Sequence, residues 1–224
     1  MGQVTSVALF AALSIAMPAS CVAEGGATKQ GWSKSDREGW YRGTQGSRLL
    51  PVAWFDALEQ ADSVEMFSAP AFLSSFRYLT SEPEKYPSGF AIDRQPDDNL
   101  QVTKLRWYQG QKGGGSAEDW VGMNCSACHT GQITYQGTNF RIDGGPGLTD
   151  FQSFVESLDA SLAMTRKDSA KWDRFSGRVL KGKDNSTNRT MLAAEFDKIL
   201  DWQDRTEQLN HTSLRYGAGR VDVF

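Results

Sequence analysis

The segment WVGMNCSACHTGQITY, residues 120–135, holds most of the reactive side chains in this chain of 224 residues. The sequence has three cysteines and two histidines, and this segment contains Cys125, Cys128 and His129 in the order Cys-x-x-Cys-His. That order is the signature of covalent haem attachment. On a helical turn both sulfurs can face one porphyrin edge, and the adjacent imidazole can bind the iron. We therefore predict one covalent haem c on Cys125 and Cys128, with His129 as proximal iron ligand.

Two other chemistries remain open for this segment. Thiol–disulfide exchange by a Cys-x-x-Cys pair needs a lowered thiol pKa at a helix N-terminus, within an alternating βαβ pattern. The preceding SAEDWVGMN, residues 116–124, is expected to be a helical lead-in instead. Zinc could use Cys125, Cys128, His129 and His211, but structural zinc sites usually have a second close pair of ligands, and His211 stands alone. Haem is therefore the favoured prediction.

The sixth iron ligand has three candidates in the sequence, His211, Met164 and Met191. His211 also fits a surface histidine, and each methionine also fits a helical core. Met123 is too close to Cys125 to reach the opposite side of the ring. An open iron site, which would bind oxygen or peroxide, is the alternative.

An export signal is predicted at the N-terminus. VALFAALSIAM, residues 7–17, is apolar, has about the length of a signal-peptide core and is too short to span a bilayer comfortably. Cleavage after Ala23 would place small side chains, Cys21 and Ala23, at the two positions that require them. A lipid anchor on Cys21 is the alternative. The expected organisation is a signal peptide at 1–23 and a haem domain at 24–224, located in the periplasm or secreted.

The overall composition is that of an ordinary soluble protein. Hydrophobic residues make up 39% and charged residues 23%, and the net charge of −3 provides no basic field for nucleic acid. After signal cleavage no membrane span is expected. The glycine-rich run at 110–116 lacks the spacing of a phosphate-binding loop and is expected to be a surface loop.

Helical patterns dominate the rest of the sequence. Ser35–Glu38 reads as a capping box, and Pro51 and Pro70 are expected to stand at helix starts. Apolar stripes predict three further helices, around residues 149–165, 172–179 and 192–200. QITYQGTNFRID, residues 132–143, alternates on either side of Gln136–Gly137 and predicts a small β-hairpin.

Several segments resemble a known family. CSACHTGQITYQGTNFRIDGGPG (125–147) resembles the first haem segment of the rubber-oxygenase-like branch of di-haem c-type cytochromes, relatives of bacterial cytochrome c peroxidases. Residues 43–60 and 86–93 are similar to N-terminal segments of that family. YGAGRVDVF (216–224) resembles its Gly-Arg-Val-Asp turn.

The resemblance implies a mainly α fold, a cytochrome-c-like helical haem domain with a small β-hairpin after the haem motif and long loops. In the family a first haem can face oxygen or peroxide, and a second haem relays electrons. This chain has no second Cys-x-x-Cys-His, so the resemblance implies the first-haem part, truncated before a second haem domain. Arg141, Asp143 and Arg220 lie in the shared segments as candidate haem neighbours, and loop-fixing ion pairs are the alternative for each.

The expected function is that of an exported redox protein with one haem, of the oxygenase or peroxidase type. A mono-haem electron carrier with a methionine or histidine sixth ligand is the alternative, and a haem-free thiol-exchange protein is a third possibility. The expected partners are a redox protein or a small oxidant, O₂ or H₂O₂. The sequence identifies no catalytic residue.

Overall fold

A computed structural model of the protein describes residues 30–80, 84–94 and 118–220. About 49% of these residues are helical and 15% are in strands, arranged as two small antiparallel sheets beside the helices. The prediction of a mainly α, cytochrome-c-like helical domain is therefore wrong, and the fold is a mixed α/β one. The predicted signal peptide at 1–23 and the glycine-rich run at 110–116 lie outside the described residues.

The first sheet has three short antiparallel strands in the order β1-β3-β2. These strands are β1 (Leu50–Pro51), β2 (Phe90–Asp93) and β3 (Trp120–Met123). β3 lies in the centre, where Asp93 pairs with Trp120 and Phe90 pairs with Met123.

β3 corrects the expectation of a helical lead-in before the cysteines. All four of its residues are buried, because the strand has a neighbour on each edge and is covered on both faces. Such a strand has no alternation of apolar and polar residues that would mark it in the sequence. Its partners are also remote along the chain, as in the hydrogen bond from Leu49 N to Val121 O (2.7 Å).

Three short helices precede this central strand. α1 (Lys34–Arg42) begins with a capping box formed by Ser33 and Asp36, two residues before the predicted one. The pattern of a serine followed three residues later by an acid occurs twice, at Ser33 and at Ser35, and the structure uses the first. α2 (Val52–Ala57) and α3 (Pro70–Ser75) begin next to Pro51 and at Pro70, which confirms both predicted starts.

The apolar stripes correctly predicted three longer helices, which pack on one another as a helical layer. They are α4 (Phe151–Lys167), α5 (Ser169–Leu180) and α6 (Ser186–Asn210). Trp54 of α2 packs its ring on Phe175 and Phe196, with centroids 5.9 and 5.4 Å apart. Phe154 of α4 is fully buried and contacts four aromatic rings: Phe67, Phe76 and Tyr78 beside α3, and Phe90 on β2. One aromatic core thus joins the helices to the sheet.

The second sheet is the predicted β-hairpin, made of β4 (Thr130–Tyr135) and β5 (Thr138–Asp143). Gln136 and Gly137 at its tip both have positive φ, 47° and 76°, as the tightest hairpin turns require. Within the described ranges, no helix has the length and apolar character needed to cross a membrane.

Candidate functional site

The Cys-x-x-Cys-His segment forms a single turn between β3 and β4. Residues Cys125–Ala127 adopt a 3₁₀ turn, in which Cys125 O accepts hydrogen bonds from the backbone N–H of Cys128 (3.3 Å) and His129 (2.8 Å). The spacing of the motif places the three candidate residues on one compact turn. The two thiols do not share a face of it, because Cys125 is exposed and Cys128 is buried.

The two cysteines of this turn have different surroundings. Cys125 is exposed, and Gln45 Oε1 accepts from its backbone N–H (3.2 Å) and from its thiol (3.4 Å). Cys128 is only 6% exposed and belongs to the apolar core, together with Ala127 and Met123. Neither cysteine is in a disulfide.

Burial raises the pKa of the Cys128 thiol to about 11, and the nearby Cys125 adds to this effect. Desolvation penalises the thiolate, so Cys128 stays protonated at neutral pH. Thiol exchange and zinc binding both depend on a thiolate. The raised pKa therefore disfavours Cys128 itself as an attacking thiol or as a zinc ligand.

Two tyrosines that the sequence did not single out lie near Cys128. The buried Tyr78 hydroxyl donates to Met123 Sδ (3.8 Å), and burial raises its pKa well above the ordinary value, with the charge of Asp150 acting in the same direction. The pKa of Tyr216 is also raised, mainly by burial and by Asp150. Both phenols therefore keep their protons at neutral pH. Tyr216 lies in a segment that carried the family resemblance, whereas no local signal marks Tyr78.

The backbone of the turn is held from the side of α4. Thr149 Oγ1 donates to Ala127 O (2.8 Å), and Gly147 N donates to Cys128 O (2.7 Å). A Cβ on Gly147 would lie 2.6 Å from Cys128 O, so only glycine allows this approach. The loop after the hairpin thus returns to the backbone of the cysteine turn.

Asp143 is a structural anchor in this region. Its side chain is fully buried and accepts hydrogen bonds from Tyr41 Oη (2.6 Å) and Arg37 Nε (3.3 Å). Burial, followed by this bond to Asp143, raises the pKa of Tyr41 to about 12. Trp40 Nε1 donates to Thr130 Oγ1 (3.2 Å) in the same interface. The loop-fixing alternative therefore describes Asp143, which holds α1 on the hairpin.

The other two candidate haem neighbours have different positions. Arg141 donates to Ser88 Oγ and Thr80 O, both at 3.2 Å, and so ties β5 to the segments around β2. Arg220 is exposed at the end of the described residues.

The candidate sixth ligands lie on the long helices or just beyond them. His211 follows α6, is exposed, and has its Nδ1 atom 3.1 Å from Glu207 Oε1. Met164 on α4 and Met191 on α6 are half-buried. Among residues 30–80, 84–94 and 118–220, no group of three or more histidine, cysteine, aspartate or glutamate side chains could hold a metal ion. The four candidate zinc ligands are therefore not gathered into a site.

Comparison with known proteins gives one curated relative. The chain is 33% identical over 207 residues to "Uncharacterized protein y4iJ" of Sinorhizobium fredii (strain NBRC 101917 / NGR234). The match covers 88% of this chain and 34% of the relative, so the chain spans about a third of that protein's length. No protein-family profile matches the chain, and no solved structure matches it.

Proposed function

We propose that this protein is an exported c-type cytochrome that carries one covalent haem c on Cys125 and Cys128, with His129 as the proximal iron ligand. The bound haem would supply a redox-active iron. The family resemblance of segment 125–147 and the single turn formed by Cys125–Ala127 support this proposal.

The observation that carries the proposal is the surroundings of Cys128. A thioether sulfur has no acidic proton and no charge, so it suits the apolar position in which a thiolate is penalised. The raised pKa of about 11 marks Cys128 as such a position. Zinc binding by Cys128, or attack by Cys128 in thiol exchange, would need that sulfur in its charged form.

The chain's own groups would hold the site in shape. Gln45 contacts Cys125, and Tyr78 and Met123 form one wall of the core beside Cys128. The Tyr78 hydroxyl keeps its proton because burial raises its pKa, so it adds no charge to this wall. These residues would orient the cofactor and keep water from its buried edge.

We further propose that the iron keeps an open position for oxygen or peroxide, in a redox enzyme of the oxygenase or peroxidase type. His211 is exposed and paired with Glu207, which makes it a poor sixth ligand. The proposed partners are a redox protein and one of these small oxidants. The electron carrier with a Met164 or Met191 ligand is the outcome that would replace this proposal.

The first experiment measures covalent haem in protein made in a host that matures c-type cytochromes. The denatured protein should carry the added mass of one haem and give a pyridine haemochrome spectrum. The double variant Cys125→Ala/Cys128→Ala should carry none, whereas Cys21→Ala should match the wild type. A haem-free wild type, or covalent haem in the double variant, would refute the proposal.

The second experiment identifies the iron ligands. His129→Ala should keep the haem attached but change its spectrum, whereas His211→Ala, the matched control, should leave the spectrum unchanged. Reduced wild-type protein should bind carbon monoxide rapidly. A low-spin spectrum that ignores carbon monoxide, and that is lost in Met164→Ala or Met191→Ala, would show a carrier instead.

A further inference from the structure

We propose that Asn124 is a positioning residue, which clamps the cysteine turn to the C-terminal end of α1 and so keeps Cys128 buried while Cys125 is exposed. Its importance for haem attachment rests on the proposed function, but the clamp itself concerns only the polypeptide. Asn124 directly precedes the turn and is 5% exposed.

The Asn124 side chain is saturated with hydrogen bonds. Its Oδ1 atom accepts from Ser126 N (2.9 Å) and Ser126 Oγ (2.7 Å). Its Nδ2 atom donates to Trp40 O (3.0 Å) and Gly43 O (2.8 Å). An asparagine amide has two donor hydrogens and accepts at its oxygen, so its bonding capacity is used on the two sides of the clamp.

These partners also fix the direction of the amide. Trp40 and Gly43 present carbonyl oxygens, which only accept, and the Ser126 backbone N–H only donates. The nitrogen of Asn124 must therefore face α1, and its oxygen must face the turn. An ionised aspartate could serve the turn but could not donate to α1.

The backbone around Asn124 strengthens the clamp. Asn124 N donates to Gly89 O (2.9 Å), and Ala127 N donates to Asn124 O (3.1 Å). Gly89 has a φ of +88°, and a Cβ there would overlap the backbone of Ala127. The turn thus packs between the Gly89 loop on one side and the C-terminal end of α1 on the other.

The same end of α1 also reaches the exposed thiol. Gln45 lies two residues after Gly43, and its side-chain oxygen contacts the backbone N–H and thiol of Cys125. With Asn124 holding Gly43, this segment fixes Cys125 on the outside of the turn. Cys128, at the other end of the turn, is left facing the core.

The test measures thiol accessibility in the haem-free full-length protein, using iodoacetamide and peptide mass mapping. The quantity is the labelling of Cys128 relative to Cys125 in the same molecules. In wild-type protein Cys125 should label and Cys128 should resist. Losing both buried bonds to α1 should raise the relative labelling of Cys128 by about ten- to thirtyfold in Asn124→Ala.

A graded set of variants separates the clamp from general loosening. Asn124→Asp keeps the acceptor but loses the donors, so at pH 7 it should behave like Asn124→Ala. Ser126→Ala loses one bond within the turn and should stay near the wild type. Asn139→Ala is the matched control, because Asn139 accepts from Thr134 Oγ1 on the hairpin, away from the turn. Circular dichroism should show all four variants folded.

Two results would overturn the inference. One is wild-type-like labelling in Asn124→Asp, which would mean that the donors to α1 do not matter. The other is measured on the wild type alone and does not depend on any variant folding. The side-chain amide protons of Asn124 should exchange slowly with solvent in NMR spectra, and rapid exchange would contradict the clamp.

Failure of the haem proposal has a different signature. A wild type without covalent haem would end the proposed function but leave the labelling and amide-exchange results valid. If both proposals hold, Asn124→Ala made in a haem-attaching host should differ from Asn139→Ala in its content of doubly linked haem, because the clamp sets the access to Cys128. Equal haem content with increased Cys128 labelling would remove the role of the clamp in attachment.

Discussion

The helical layer and the cysteine turn are stabilised by different interactions. In the layer, the ring of Trp54 packs against the rings of Phe175 and Phe196, and these apolar contacts depend on how well the side chains fit together. In the turn, Asn124 and Gln45 make directional hydrogen bonds to residues remote in the chain. A layer of the first kind tolerates many apolar substitutions, whereas a turn of the second kind depends on single atoms.

The largest expected effect tests whether these two regions fold together. Phe154 is fully buried and links α4 to the rings of Phe76, Tyr78 and Phe90. Phe154→Ala should destabilise the protein by ~3–5 kcal/mol, through lost contacts and the cavity left behind. Urea unfolding, monitored by both tryptophan fluorescence and circular dichroism, would measure this loss of stability.

Coincident transitions would show one cooperative unit. Separate transitions in the wild type would show that the molecule has two regions that unfold independently, and the helical layer and the cysteine turn could then not be compared within one cooperative unit. Leu209→Ala is the control, because Leu209 is 86% exposed and its truncation should change little.

The next effect concerns an ionic contact that ties the segment after α2 to α5. Glu59 is 2% exposed, and its carboxylate accepts from Arg174 (2.7 Å to each oxygen) and Arg178 (2.8 Å). Glu59→Ala would leave these cations without their partner and should cost ~3 kcal/mol, near the lower end for buried pairs because both arginines are partly exposed. Denaturant unfolding at pH 7 measures the loss, with the exposed Glu65→Ala as control.

This contact also predicts an acid dependence. The hydrogen bond from Arg174, together with that from Arg178, lowers the pKa of Glu59 to about 2 from its ordinary 4.5, against the effect of burial. The native state therefore binds fewer protons than the unfolded state between these values. The contribution of Glu59 is present above pH 4.5 and is lost as the pH falls toward 2. The Glu59→Ala variant should lose less stability than the wild type over that interval, and equal losses would contradict the assignment.

A smaller effect of opposite sign is expected inside the helical layer. Both carboxylate oxygens of Asp159 on α4 are buried without a hydrogen-bond partner. Burial, with Glu207 and Asp204 of α6, raises the pKa of Asp159 to about 7 from 3.8. The folded state therefore binds more protons, so stability falls as the pH rises from 3.8 to about 7 and then stays level.

Asp159→Asn should remove this penalty. We expect a gain of ~1–2 kcal/mol at pH 8, well below what the whole shift would give because the side chain is partly exposed, and almost none at pH 4. Thermal unfolding at the two pH values measures the difference, with Asp201→Asn on the exposed face of α6 as control. An equal gain at both pH values would show that the charge of Asp159 is not the cause.

The smallest expected effect is at the end of the helical layer. The His211 side chain is 55% exposed and pairs with Glu207 on the surface. His211→Ala should change the free energy of unfolding by less than ~0.5 kcal/mol. A larger loss in denaturant unfolding would give this residue a structural role that its exposure does not suggest.

The sequence predicted the helical layer well because its information is local. Apolar residues at helical spacing mark α4, α5 and α6, and the caps Asp150, Asp168 and Asn185 stand directly before them. The hairpin could also be predicted from local sequence, because its turn lies between two alternating segments. The central strand β3 was not, because only remote partners and burial on both faces distinguish it from a helix.

The candidate site divides in the same way. Cys125, Cys128 and His129 could be read as a unit because they fit on one turn. Gln45, Tyr78 and the part of α1 that receives Asn124 come from far along the sequence, and only tertiary structure brings them near. Of the residues that the sequence analysis missed, Asn124 was the easiest to recognise, because an asparagine before a short turn is a common cap.

Asp93 pairs with Trp120, so the last residue of β2 lies directly opposite the first residue of β3. The chain therefore leaves β2 and enters β3 at directly opposed positions, so an insertion between the two strands need not alter any strand register. An engineer could use this junction to insert a reporter domain while the strand register and the cysteine turn stay as they are.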